Sequence, residues 1–305
     1  MNARVDTKMN VVIKAEDIKK SFDGFEAVKG IDIEVNEGEI FGFLGPNGAG
    51  MTTSIRMLTT MIRPTSGKIY INGFDIDKDL TSAKASIGVS QQHISLDKDI
   101  SVRQNIKHHA MLHKMPSKEI ESRMKELSDL MGLEPYMNKK ITELSGGWKR
   151  RVSIICSIIH SPKILFLDEP TAGLDTKSRH MLWDLIRQLN LAGTTIFLTT
   201  HYIEEAEDLC HRVAVVNLGR IVAEGSPKEL CNSIGYMTVE YSGPDGKRVT
   251  KHFPDRQSGK DFMATLDEGD STMSLRKTTL EDVFLKVTGE EYKTRGDQFE
   301  IPKSD

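Results

Sequence analysis

Apolar and polar positions fall into blocks along the chain, and the period within the blocks changes several times. Near the N-terminus, VVIKAEDIKKSF and GIDIEV read as edge or antiparallel strands split by a Gly-containing turn. EIFGFLG (Glu39–Gly45) is instead a continuous apolar run, the mark of a strand buried on both faces. MTTSIRMLTTMI follows with Ile55, Leu58 and Ile62 on one helical face, and Pro64 is expected to stop that helix. GKIYINGFDI predicts a strand and turn, and Ser86–Gln92 a further short strand. From Ser101 to about Gly132 the pattern is helical and poor in β-branched residues. Its second helix is expected to start at Pro116, with Ser117 and Glu119 in the first turn. From KILFLDEP onward, strands (TTIFLTT, RVAVVN) alternate with helices (TKSRHMLWDLIRQLN, YIEEAEDLC), which predicts a parallel sheet covered by helices.

Past GRIVAEGSPKEL the pattern changes. MTVEYSGPDGKRVTKHF predicts a hairpin around a Pro-Asp-Gly turn, and TTLEDVFLKVTG a last helix with Thr278 and Glu281 spaced as a capping box. The expected organisation is a main α/β domain over residues 10–235 with a helical segment at about 93–160, a small accessory domain at 236–292, and a polar tail at 293–305.

Composition narrows the function classes. With 305 residues, 38% hydrophobic and 28% charged, the chain can bury a sizeable core. A net charge of -3 offers no bulk basic surface for nucleic acid, so no nucleic-acid partner is expected. Cys156, Cys210 and Cys231 are far apart and form no C-x-x-C pair, so neither a disulfide frame nor a zinc site is expected. The first 20 residues do not read as a signal peptide, and no stretch approaches the ~18 apolar residues that span a bilayer. Work at a membrane would need another chain to cross it.

Two stretches carry chemistry. In GFLGPNGAGMTTSIRML a glycine-rich loop leads from the buried strand into a helix. Gly45, Pro46, Asn47, Gly48, Ala49, Gly50, Met51, Thr52 and Thr53 then form a loop whose backbone N–H groups (all but that of Pro46, which has none) and helix N-terminus face a phosphate, and the Thr52 hydroxyl can hold Mg²⁺. Taken alone, the loop could be a tight strand-to-helix turn. The apolar run ILFLD ends in Asp168 and Glu169, at the strand end where open α/β sheets bind ligands. Asp168 can hold Mg²⁺ directly or through water, and Glu169 can polarise an attacking water.

LSGGW (Leu144–Trp148) lies shortly before the acidic strand, and with it the chain resembles the ATP-binding subunits of ATP-binding cassette (ABC) transporters, whose signature is LSGGQ. By itself this stretch could be a helix start with Ser145 as N-cap. The resemblance covers about residues 10–235. It implies an α/β phosphate-loop NTPase core with an antiparallel β subdomain, an inserted α-helical subdomain and a small C-terminal α+β domain. It also implies ATP and Mg²⁺ as ligands, with Thr52, Gln92 and Asp168 at the metal. Gln92 matches the glutamine loop, Asp175 the loop after the acidic strand, and His201 the switch histidine that contacts the terminal phosphate. Phe22 sits where an aromatic stacks on adenine, Phe25 being the alternative and a core role for Phe22 the bland one.

Such subunits are implied to pair head to tail, so that Ser145, Gly146, Gly147 and Trp148 face the ATP of a second ATP-binding subunit. They work with separate transmembrane permease subunits at the cytoplasmic face of the membrane. The C-terminal stretch TTLEDVFLKVTGEE is similar to that of drug-export and polysaccharide-export subunits, closest to the daunorubicin-resistance type.

Three positions depart from the pattern. Trp148 stands for the signature glutamine, Gln91 for a common proline, and Met51 for the loop lysine. Methionine has similar unbranched length but no charge and no donor. A hydrogen bond to a charged group is worth about 1.5 to 3 kcal/mol, or about ten- to a hundredfold in rate. Met51 is therefore expected to reduce hydrolysis while the backbone, Thr52 and Mg²⁺ still hold nucleotide. All other expected positions are present, which fits a single introduced substitution better than a site that has drifted. The alternative function is a nucleotide-dependent regulator that does not turn over and is not tied to a permease.

Overall fold

The computed structural model describes residues 10–243, 246–266 and 273–289. It divides into two compact units, residues 1–221 and 222–305. The expected tail at 293–305 and the Pro244-Asp245 pair of the expected hairpin turn lie outside the described residues.

The first unit opens with β1 (Val11–Phe22), β2 (Phe25–Asn36) and β3 (Ile40–Leu44). The glycine loop leads into α1 (Met51–Leu58), followed by β4 (Ser66–Ile71), β5 (Phe74–Asp75), α2 (Leu80–Ala85) and β6 (Ile87–Ser90). The helical segment holds α3 (Val102–Leu112) and α4 (Ser117–Met131), and α5 (Gly146–Ile158) returns the chain to the sheet. Then come β7 (Ile164–Asp168), α6 (Thr176–Leu191), β8 (Thr195–Thr200), α7 (Ile203–Leu209) and β9 (Arg212–Asn217). The division between units falls within β10 (Arg220–Gly225).

Two sheets organise this unit. The antiparallel one has the order β2-β1-β4-β5, and the parallel strands run β9-β3-β8-β7-β6. Every residue of β3 and β8 is buried, as the unbroken apolar runs predict. Phe197 of β8 meets Phe41, Phe43 and Phe166 at 5.5, 5.5 and 5.4 Å between ring centroids, so one aromatic cluster ties three adjacent strands. Register then aligns the functional ends: Asp168 pairs with Thr199, and Leu44 with Thr200. Among the described residues no helix is long and apolar enough to cross a membrane.

The structure corrects three local expectations. Helix α1 ends at Leu58, well before Pro64, so Ile62 is not on its face. Thr60 enters the left-handed region at φ 62°, and the Thr60 and Met61 amides close back on Met57 and Arg56 carbonyls at 3.0 and 2.8 Å. That αL closure satisfies the helix end without proline. Strand β6 stops at Ser90 rather than Gln92, because the Gln91 and Gln92 carbonyls turn to Arg150.

The second unit contains α8 (Pro227–Ile234), β11 (Met237–Ser242), β12 (Arg248–Phe253), α9 (Arg256–Met263), β13 (Ser274–Lys277) and α10 (Leu280–Thr288). Its sheet has the order β12-β11-β13, all antiparallel. The third correction lies here: the capping box of α10 is Thr279 with Asp282, one residue later than Thr278 with Glu281. Asp282 also accepts from Arg276 at 2.6 and 2.7 Å, so a buried ion pair decides which acid faces the helix start. Arg276 likewise binds Glu240 across the sheet.

Candidate nucleotide site

The glycine loop takes its shape from backbone conformations that side chains resist. Gly48 and Gly50 have φ of 82° and 101°. A Cβ on Gly45 would come within 2.5 Å of the Val216 carbonyl oxygen. Gly50 is the N-cap of α1 and no side chain caps that helix, so its first N–H groups are left for an external acceptor such as phosphate. Thr52 stands exposed at this end, in a cleft lined also by Arg56, Gln91, Gln92, His93 and Asp168.

Met51 does not enter that cleft. It is 6% exposed, belongs to the main hydrophobic cluster, and its sulfur lies 3.2 Å from where a Gly45 Cβ would sit. The methionine therefore packs beneath its own loop as a core residue, and its position supplies no positive charge to a phosphate.

At the end of β7, Asp168 accepts a 2.6 Å hydrogen bond from the Thr199 hydroxyl, which fixes one carboxylate oxygen. Glu169 follows at φ 45°, a left-handed conformation that turns its carboxylate back over the strand ends. There Gln92 Nε2 donates to Glu169 Oε2 at 2.9 Å, and His201 Nδ1 lies 3.3 Å from the same oxygen, outside hydrogen-bonding geometry. Gln92, Glu169 and His201, taken from three separate stretches of sequence, thus converge on one point.

Among the described residues no group of three His, Cys, Asp or Glu side chains could by itself hold a metal. The donors fit Mg²⁺ that arrives with a nucleotide: it keeps waters, takes phosphate oxygens and needs few protein oxygens, which Thr52, Asp168 and Gln92 could supply.

The Leu144–Trp148 stretch forms a second, separate feature. Ser145 is the N-cap of α5 but its side chain makes no capping bond, so this helix start is also open to an anion. Gly147 packs tightly: a Cβ there would lie 2.9 Å from the Ser178 hydroxyl. Asp175 caps α6 by accepting from the Ser178 amide and hydroxyl, bonds that hold its carboxyl below the usual range. Trp148 stacks on Tyr136 at 4.2 Å and under the Arg151 guanidinium at 4.7 Å, so its ring is engaged within its own chain. Among the described residues no hydrogen bond joins Ser145–Trp148 to the glycine loop. Phe22 is 45% exposed, which removes the core role, and its ring carries the Lys20 ammonium at 5.0 Å.

Sequence reasoning missed Arg150. It is 3% exposed and donates to the Gln91 and Gln92 carbonyls at 2.7 and 2.8 Å. Burial pushes its pKa down, opposed by the charges of Asp168, Glu205 and Glu169. The available signal was an apolar stripe of α5: Ile154 and Ile158 follow Arg150 at helical spacing and place it on a buried face.

The ABC transporter family model matches residues 28–172. The Nod factor export ATP-binding protein I of Burkholderia thailandensis is 37% identical over 296 residues, covering 92% of this chain and 97% of the relative. The daunorubicin resistance ATP-binding protein DrrA3 of Streptomyces coeruleorubidus is 32% identical over 311 residues, covering 94% and 98%. Among solved structures, cbiO1 from Clostridium perfringens, part of the ABC transporter complex cbiONQ, has a TM-score of 0.68 and 33% identity over 72% of this chain and 90% of that one. The ATP-binding cassette MJ0796, as a dimer in a post-hydrolysis state bound to ADP and Pi, has a TM-score of 0.64 and 26% identity over 70% and 98%.

Proposed function

Because the chain belongs to the ABC transporter family, as one of its ATP-binding subunits, we propose that it binds ATP with Mg²⁺ at the glycine loop and powers export through separate membrane-spanning subunits. The observation that carries the site is the convergence of Gln92, Glu169 and His201 beside the cleft of Thr52 and Asp168. The loop of residues 45–53 cradles the phosphates, with the backbone N–H groups of Asn47, Gly48, Gly50, Met51, Thr52 and Thr53 as donors; Pro46 has none, and the Gly45 and Ala49 amides bond the Thr200 and Pro46 carbonyls. Glu169 orients and polarises the attacking water, Gln92 holds the Glu169 carboxylate in place, and His201 contacts the terminal phosphate. Thr52, Asp168 and Gln92 would hold Mg²⁺, which would supply charge neutralisation at the phosphates. Phe22 offers an exposed face to adenine.

Ser145, Gly146, Gly147 and Trp148 serve a second ATP-binding subunit docked head to tail, with Asp175 in the adjoining loop. The open N-terminus of α5, apart from the chain's own glycine loop, supports that arrangement. The helical segment relays the resulting motion to the permease, and the subunit works peripherally at the cytoplasmic face of the membrane. Export is favoured because both curated relatives above are named for export or drug resistance.

ABC ATP-binding proteins are ATPases, and Met51 slows this one. A second reading, a nucleotide-dependent regulator without turnover, draws on one observation: Met51 is buried in the core. Met51→Lys separates the two. With the transmembrane partner present, steady-state phosphate release should rise about ten- to a hundredfold, and Glu169→Gln should abolish the gain. No rise would favour the regulator. Failure of both the parent and Met51→Lys to bind ATP would refute the phosphate site itself.

A further inference from the structure

Helix α5 opens on two glycines, Gly146 and Gly147, behind Ser145, whose side chain makes no capping bond. Glycine loses more conformational freedom in a helix than any other residue, so this first turn is prone to fray. Ser145 and Gly146 are exposed, and Trp148 is the first residue after the N-cap that has a side chain. Its ring is anchored. It packs on Tyr136 at 4.2 Å between centroids with 33° between the planes, and the Arg151 guanidinium lies 4.7 Å from it. Tyr136 ends a 3₁₀ turn (Glu134–Tyr136) of the helical segment and carries the Lys139 ammonium at 5.1 Å. Arg151 also donates to the carbonyl of Met131, the last residue of α4, at 3.3 Å.

A run of cation, ring, ring and cation therefore ties the first turn of α5 to the end of the helical segment. Gly147 meanwhile sits against Ser178, which is itself bonded to Asp175. An amide at position 148 would offer polar atoms to a ligand; the indole instead spends its ring on Tyr136 and Arg151. We propose that Trp148 is a positioning residue for the ATP of a second copy of this chain: its ring, packed on Tyr136, holds the turn at residues 145–147 in the orientation that presents its N–H groups to that copy's terminal phosphate, without touching the nucleotide itself. The inference rests on the head-to-tail docking proposed above, taken between two copies. One aromatic pair and one cation–ring contact change the ordering of a turn by about two- to tenfold, and a symmetric dimer closes two such turns, so the dimer responds by about four- to a hundredfold.

The test uses the full chain carrying Met51→Lys and Glu169→Gln, so that ATP is held and not turned over. Dimerisation with Mg-ATP is measured by sedimentation, ATP binding is measured on dilute chain, and Tm is recorded for every variant. Trp148→Ala and Tyr136→Ala should each raise the dimer dissociation constant about four- to a hundredfold, and Trp148→Phe, which keeps a ring, by about threefold or less. The double variant should be no weaker than the weaker single within about twofold, and ATP binding to dilute chain should stay within about twofold, since the glycine loop is a separate feature. Tyr136→Ala decides the matter if Trp148→Ala does not fold. Parental dimerisation in folded Trp148→Ala overturns the proposal, as do losses that add in the double variant. Weak dimerisation in Trp148→Ala with parental dimerisation in Tyr136→Ala would make the indole a direct contact to nucleotide and overturn it too. A chain that binds ATP but forms no ATP-dependent dimer before either ring is changed refutes the docking of two copies, and this proposal with it.

Discussion

Removing the buried guanidinium of Arg150 tests how the site holds its glutamine. Arg150 Nη1 and Nη2 donate to two consecutive carbonyls, those of Gln91 and Gln92, while its Nε is buried without a partner. Two bonds from a charged donor are worth about 3 to 6 kcal/mol gross, against which stand the desolvation of the cation and about 1 to 3 kcal/mol for the unpaired Nε. Gln91 and Gln92 are themselves exposed, so water can solvate both carbonyls once the arginine is gone. Arg150→Met should therefore leave global stability within about 1 kcal/mol, a Tm change of about 2 to 4 °C or less. The local effect is larger. Gln92 is bonded to Glu169 at 2.9 Å, and untethering its backbone weakens the bias toward that position by about 1.4 to 3 kcal/mol. In the Met51→Lys chain kcat should fall about ten- to a hundredfold with little change in KM. Arg150→Lys should be intermediate, since an ammonium lacks the fork that reaches two carbonyls. A large Tm loss with unchanged kcat per folded molecule would refute the reasoning and make Arg150 a support of the fold alone.

Two other outcomes follow from the same geometry. Gly45→Ala would drive a Cβ to 2.5 Å from the Val216 carbonyl oxygen, and backbone cannot yield as a side chain does; thermal unfolding should show a loss of about 1 to 3 kcal/mol. Gly146→Ala, whose Cβ would meet only Leu174 at 3.8 Å, should be tolerated in the same assay. His160 is pushed down from 6.5 to about 4 by burial and then by His113, on which its ring stacks at 3.6 Å, although its bond to the Ile87 carbonyl works the other way. Between those two values the unfolded chain binds more protons than the folded one, so stability falls as pH drops through that window. Screening at this partly exposed ring leaves about 1 kcal/mol of loss at pH 5, and the parent's Tm should drop about 2 to 4 °C further from pH 7 to pH 5 than that of His160→Gln. Equal drops would refute the assignment.

Much of this protein was legible along the chain because its signals are local. A strand buried on both faces has to be apolar throughout, so EIFGFLG and ILFLD announced β3 and β7 unaided. A loop that brings backbone N–H groups to a phosphate needs glycines at left-handed positions, and Gly48 and Gly50 occupy them. Spacing along one chain likewise placed Asp168, Glu169 and His201 at strand ends, since in a parallel sheet all such ends meet on one edge. What remained hidden depends on closures and partners that the apolar pattern does not mark, some local and some distant in sequence. Helix α1 stops at a closure made by its own carbonyls, and the α10 cap follows an ion pair from β13. Arg150 reads as one of three basic residues in KRR; helical spacing puts it on an apolar face, but only the packed structure shows that it binds the Gln91 and Gln92 carbonyls. Met51 shows the division most clearly. Its place in the loop, and the charge it cannot provide, follow from the sequence; that it folds beneath Gly45 into the main hydrophobic cluster is a result of three-dimensional packing, because that cluster is assembled from strands and helices far apart along the chain.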